Sequence, residues 1–186
     1  MTLRLAALAC FAVLMGQPAA AQTSGQDGPI VTAPATAEST DAQRYREAVA
    51  YANPMPRGAP SADYPLVAWC DALVTGHVAI GESLTNADPL DLDIIRLGKL
   101  EAADFRAAMA TARSRQTPAT LTAARDAAAE ATARWAPLMA QDEAVRSQAF
   151  GLFFGLPGRC EHAARRIRDD VTSAPATPED VGLDPN

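Results

Sequence analysis

The sequence predicts an all-α protein: an antiparallel helical bundle of four main helices plus short accessory helices, cross-linked by one disulfide. Three observations predict it. Ala, Leu, Arg, Glu and Gln dominate the middle of the chain, and alternating β-branched runs are missing. Apolar residues recur there at alternating three- and four-residue spacings, the seam of a helix packed on neighbours. The segments are separated by short Pro- or Gly-marked breaks, which force neighbours to run largely antiparallel. At 186 residues and 48% hydrophobic content the chain can bury the core of one domain.

The first 21 residues follow the secretory pattern, with Arg4 at the positive start, an apolar run over 5–16 and small residues Ala19, Ala20 and Ala21 before the expected cleavage. The mature chain is expected to begin at Gln22, in the periplasm or outside the cell. Cys10 lacks a proper lipobox ahead of it, which argues against lipidation. No later segment has the roughly 20 apolar residues of a membrane span, so no insertion is expected after cleavage. Residues 22–39 and 172–186 are small, polar and Pro-rich, and read as flexible tails around a bundle domain at 40–171.

The first helix is expected over 41–52, with Thr40 and Gln43 as a capping box and Tyr45, Val49 and Ala52 on its apolar face. The Pro/Gly-rich loop after Asn53 ends it. The second begins near Pro65 and carries the stripe Leu66, Cys70, Leu73, His77, Ile80, Leu84. Asp88 and Pro89 open the third, with the seam Ile95, Gly98, Ala102, Phe105, Met109, Ala112. Thr117 and Pro118 start the fourth, whose seam Leu121, Ala124, Ala128, Ala131, Trp135, Leu138 is mostly alanine and lets a neighbour approach closely. Pro137 is expected to kink or end it. A short helix follows over 143–154, and the stretch 149–156, apolar on all sides, is expected to be the most buried element. A last helix over 159–171 buries Cys160, Ala163, Ile167 and Val171.

With Cys10 removed in the leader, Cys70 and Cys160 remain, both on buried stripes. In an oxidising compartment such a pair reads as a structural disulfide clamping the second helix to the last. Closing a loop of about 91 residues stabilises by at most roughly 4 to 5 kcal/mol through chain entropy. Two free buried thiols, or a redox or metal-binding pair, are the alternatives. Catalytic dithiols are usually close in sequence with one thiol exposed, which weakens the redox use.

The chain carries 16 basic against 22 acidic residues, a net charge of −6, which argues against nucleic acid as a partner. No haem-attachment C-x-x-C-H, no Glu-x-x-His, no G-x-S-x-G, no H-E-x-x-H and no phosphate-cradling glycine loop occurs. No catalytic residue, metal ligand or cofactor is therefore assigned. His77 is the most suggestive residue, because it occupies a seam position suited to an aliphatic side chain; a neutral imidazole bonded to a carbonyl is the plain reading. It stands about 10.5 Å along the helix from Cys70. His162 falls about 200° around its helix from Cys160 and is expected to face solvent. Arg165, Arg166 and Arg168 form a basic patch, blunted by i,i+4 pairing of Arg165 with Asp169 and Arg166 with Asp170. Phe150, Phe153 and Phe154 are either core or an anchor for a partner or a second copy.

The expectation for function is an exported, non-enzymatic binding or interaction module of the cell envelope, taking a protein partner or a small apolar ligand, with His77, Phe150, Phe153 and Phe154 as candidate binding residues. The alternative is an enzyme or cofactor carrier using His77 at a cavity with Glu82, Glu101 or Asp71. A cavity with His77 on its wall would favour the alternative; a solid core around His77 would favour the binder.

Overall fold

The computed structural model describes residues 38–153 and 155–183. The expected leader and its cleavage site, residues 22–37 and Phe154 lie outside the described residues. All regular structure among the described residues is helical: α1 Thr40–Ala52, α2 Asp63–Glu82, α3 Pro89–Ala112, α4 Pro118–Met139, α5 Glu143–Gly151 and α6 Arg159–Arg168, with 3-10 turns at Arg113–Arg115 and Glu179–Val181. None of these helices is long and apolar enough to cross a membrane.

Side-chain caps set most of the starts. Asp88 and Asp91 exchange bonds at the head of α3: the Asp91 N–H donates to Asp88 Oδ1 at 2.9 Å and the Asp88 N–H to Asp91 Oδ2 at 3.1 Å. Thr117 caps α4 ahead of Pro118, and Asp142 caps α5. The cap of α1 is Ser39 rather than Thr40; Ser39 is extended and its hydroxyl accepts from the Ala42 N–H. α4 runs through Pro137 to Met139. A proline this near the end costs only one bond to the preceding turn, so the helix stops two residues later than expected.

The core is organised around α2, which packs on α3, α4, α5 and α6. Of its 20 residues, 13 are buried, among them the expected Leu66, Cys70, Leu73, His77 and Ile80, but also Val67, Trp69, Val74 and Val78 on its other faces. This corrects the expectation that 149–156 is the most buried element. Phe150 is 3% exposed, yet Leu152 is 58% exposed. α5 ends at Gly151 and the backbone turns at Gly155, with φ +92°, so this stretch alternates between core and solvent instead of lying inside it.

α3 packs against α2 through Ile95, Gly98, Ala102, Phe105, Ala108 and Ala112. At Gly98 the absent side chain leaves room for the Val78 and Val74 methyls. α4 approaches α2 on its alanines, with Ala124, Ala127 and Ala131 buried. Cys70 and Cys160 are joined in a disulfide, their Cα atoms 6.0 Å apart, which ties α2 to α6 at the centre of the main apolar cluster.

The two peripheral helices differ from their expected faces. In α1, Tyr45 and Val49 are exposed, and Glu47, Ala48 and Ala50 point inward. α6 ends at Arg168 and buries His162, Ala164 and Arg166 besides Cys160 and Ala163, while Ile167 and Val171 are only half-buried. The cause is that α6 packs on α1 as well as on α2 and α3, so two of its faces are covered. His162 accordingly is 5% exposed rather than facing solvent.

Arg165 and Arg166 of the arginine patch are turned inward by the same packing, while Arg168 stays exposed. Arg165 bonds Glu47 Oε1 at 2.9 Å, and Arg166 reaches Glu47 Oε1 at 3.2 Å and Asp63 Oδ2 at 2.9 Å. The expected pairs with Asp169 and Asp170 are replaced: Asp169 meets Arg168, and Asp170 meets Arg115. Long-range partners win because a carboxylate buried on α1 has to be compensated. The stretch after α6 joins this network: Arg166 donates to the Ser173 carbonyl, and the Ala176 N–H reaches Glu47 Oε2 at 3.4 Å.

Candidate functional site

His77 lies three-quarters of the way along α2, in the centre of an aromatic cluster. Its ring stacks on Phe150 at 4.4 Å between centroids and on Phe153 at 4.3 Å, and Trp135 stands 6.0 Å away. Nε2 is 3.0 Å from the Phe150 carbonyl oxygen. A carbonyl only accepts, so Nε2 carries the proton and donates. The imidazole is 4% exposed. Burial pushes its pKa below the ordinary histidine value, partly offset by the bond to Phe150. The ring is therefore held neutral and acts as a polar strut between α2 and the end of α5.

None of the carboxylates considered as catalytic partners hydrogen-bonds to it. Glu82 pairs with Lys99, and Asp71 with Arg106. Glu101 lies in a polar cleft with Asp104 and Glu161, where burial first and then those two like charges hold its pKa up. His162 sits near Glu47 and Arg165, its pKa lowered mainly by burial.

Next to the aromatic cluster a groove of about 350 Å³ opens to solvent. Trp69 and Leu73 of α2 form its floor, Trp135 and Leu138 of α4 one wall, and Phe153, Leu156 and Pro157 of the α5–α6 connection the other. Phe153 is shared: it stacks on His77, meets Trp135 edge to face at 5.7 Å and lines the groove. Phe150 is buried behind it against Gly81 and Ile95, and Phe154 is outside the described residues. Both indole Nε1–H groups are buried without an acceptor among the described residues, so packing rather than hydrogen bonding holds these rings. For Trp135 the packing surface is the Gly76 backbone, where any side chain would overlap the indole.

Of the groove residues, Phe153 had a sequence signal as part of the aromatic stretch. Trp135 and Leu138 were legible only as the large end of an alanine seam. Trp69 and Arg134 carried no signal, since Trp69 falls off the expected stripe of α2 and Arg134 looks like any solvated helix residue.

Comparison with protein-family models, curated proteins and solved structures finds no match to this chain. The site has to be read from its own geometry. A groove with Trp135, Phe153 and leucines on its walls and few polar atoms can desolvate apolar surface; among the described residues its lining holds no nucleophile, no general base and no pair of acids.

Proposed function

We propose that this protein is an exported, non-enzymatic binding module, acting in the periplasm or beyond, that holds a small apolar ligand in the groove between α2, α4 and the α5–α6 connection. Its main rods in this reading are α2, α3, α4 and α6, in the antiparallel order that their short connections favour. The observation that carries the proposal is the groove lining: Trp69, Leu73, Trp135, Leu138, Phe153 and Leu156 converge on one open, apolar concavity. Its size falls within the range of about 300 to 1,000 Å³ usual for small-molecule sites. The disulfide supports the compartment, because such bridges persist in oxidising surroundings.

The sealed state of His77 speaks against the catalytic alternative. A general base has to reach the proton it abstracts, whereas this imidazole is stacked on Phe150 and Phe153 and committed to a carbonyl. The test is titration of the purified protein with the apolar fluorophore N-phenyl-1-naphthylamine, read by its emission and by quenching of Trp69 and Trp135. Saturable one-to-one binding that is lost in Leu138→Asp, with helical content unchanged, supports the proposal. Non-saturating uptake, or equal binding by Leu138→Asp, overturns it.

A further inference from the structure

The groove has a polarity at its mouth. Among the described residues its lining contains one charged residue, Arg134, and no carboxylate. That is notable in a chain with 22 acidic and 16 basic residues. Arg134 is held there by three contacts. Its guanidinium lies 5.3 Å over the Trp69 ring, and Nη2 donates to the Arg57 carbonyl at 2.7 Å and to Glu130 Oε1 at 3.0 Å. Those contacts are made through Nη2 and the guanidinium face, so the Nε–H and Nη1–H donors have no protein acceptor among the described residues. Arg57 follows Pro56, itself a lining residue, and is exposed with no ion pair among the described residues. Gly58, at φ +84°, folds this loop tightly onto the Glu130–Arg134 pair, since a side chain there would run into both. Arg134 thus brings the single charge of the lining to an otherwise apolar trough, bonded to Glu130 through Nη2 only and with its Nε–H and Nη1–H donors unfilled.

From this charge arrangement we infer that the ligand is a single-chain anionic amphiphile, its alkyl chain along Trp135, Leu138, Phe153 and Leu156 and its carboxylate or phosphate head at Arg134. A neutral apolar molecule would leave the cationic end unused. An alkyl cation would place its charge beside Arg134. A head with oxygen acceptors takes the free N–H donors of Arg134 in charge-assisted hydrogen bonds, the strongest kind available at such a rim. The fixed position of Arg134 over Trp69 also lowers the ordering cost of that contact.

This inference rests on the proposed apolar groove, and the experiment separates the two. Four twelve-carbon probes are titrated below their micelle-forming concentrations into the full-length protein: dodecanoate, dodecyl phosphate, dodecyl maltoside and dodecyltrimethylammonium. The expected result is binding of one or both anions about tenfold or more tighter than the neutral and cationic probes, with the preference falling as salt rises. Stronger dodecanoate than dodecyl phosphate binding assigns the head as carboxylate, and the reverse as phosphate. Arg134→Gln is expected to lower anion affinity several-fold more than it lowers maltoside affinity; an equal loss for both overturns the head-group assignment. Equal affinity for all four heads, or a preference for the cation, overturns the anionic assignment and leaves the groove standing. Binding of none of the four overturns the groove itself.

Discussion

The His77 Nε2–H donates to the carbonyl oxygen of Phe150, 73 residues further along the chain, at 3.0 Å, and stacks on the ring of the same residue. One side chain thus fastens the central helix to the end of α5 by a hydrogen bond and an aromatic face at once, in surroundings that exclude the charged imidazole.

A pH dependence follows. Both histidines are buried and titrate below the ordinary value of 6.5. As pH falls through about 6.5 the unfolded chain takes up protons that the folded protein refuses, so stability falls. The thermal midpoint is expected to drop between pH 7.5 and pH 5. His77→Gln, which keeps a donor for the Phe150 carbonyl but does not titrate, is expected to flatten the drop. A midpoint independent of pH over this window would rule the account out.

Removing the sulfur bridge is expected to be costly. The disulfide links positions 90 residues apart inside the largest apolar cluster. Cys70→Ala with Cys160→Ala should lose about 2 to 5 kcal/mol in denaturant unfolding. In the unreduced native protein, peptide mapping should recover Cys70 and Cys160 linked to one another and unmodified by an alkylating reagent.

Arg166 and Arg168 are two residues apart and should behave oppositely. Arg166 is 5% exposed and holds Glu47, Asp63 and the Ser173 carbonyl. Burial alone would lower its pKa, but the hydrogen bond and charge of Asp63 outweigh it, and the guanidinium stays charged. Arg166→Ala leaves Glu47 buried with less compensation and should cost about 3 to 5 kcal/mol. Arg166→Lys should rescue only part of this, because an ammonium cannot bridge both carboxylates in the same fork. Arg168, exposed beside Asp169, should be replaceable by Ala with little change in the unfolding midpoint.

Gly76 tests the seating of Trp135. On propensity alone, alanine in mid-helix is favoured over glycine by about 1 kcal/mol. Here a methyl would overlap the Trp135 ring, and overpacking of this kind costs about 1 to 3 kcal/mol. Gly76→Ala is therefore expected to lower the thermal midpoint and alter tryptophan emission, because the indole has to leave the groove wall. A stabilised variant would show that the ring can move freely.

Much of the helical architecture was legible because its signals are local. The caps at Asp88 and Thr117, the first-turn proline Pro118 and the three-four spacing of α2, α3 and α4 all act within a turn or two of the chain. The pairing of Cys70 with Cys160 was legible for a different reason: only two cysteines fall outside the expected leader. The faces of α1 and α6 were not legible. Periodicity marks Tyr45 and Val49 as apolar, but it cannot register that Glu47 will meet Arg165 and Arg166 from the far end of the chain.

By itself, then, the sequence determined which stretches become helices, where most of them start, and which two sulfur atoms join, since propensity, capping and cysteine count are properties of short segments. The tertiary structure alone decided that α2 rather than the 149–156 stretch is the central helix, that His162 and Arg166 are covered, and that Trp69, Trp135 and Phe153 from three separate segments share one groove with Arg134 at its rim. Burial and charge compensation are properties of what packs against a side chain, and for each of these residues the deciding neighbours lie dozens of positions away.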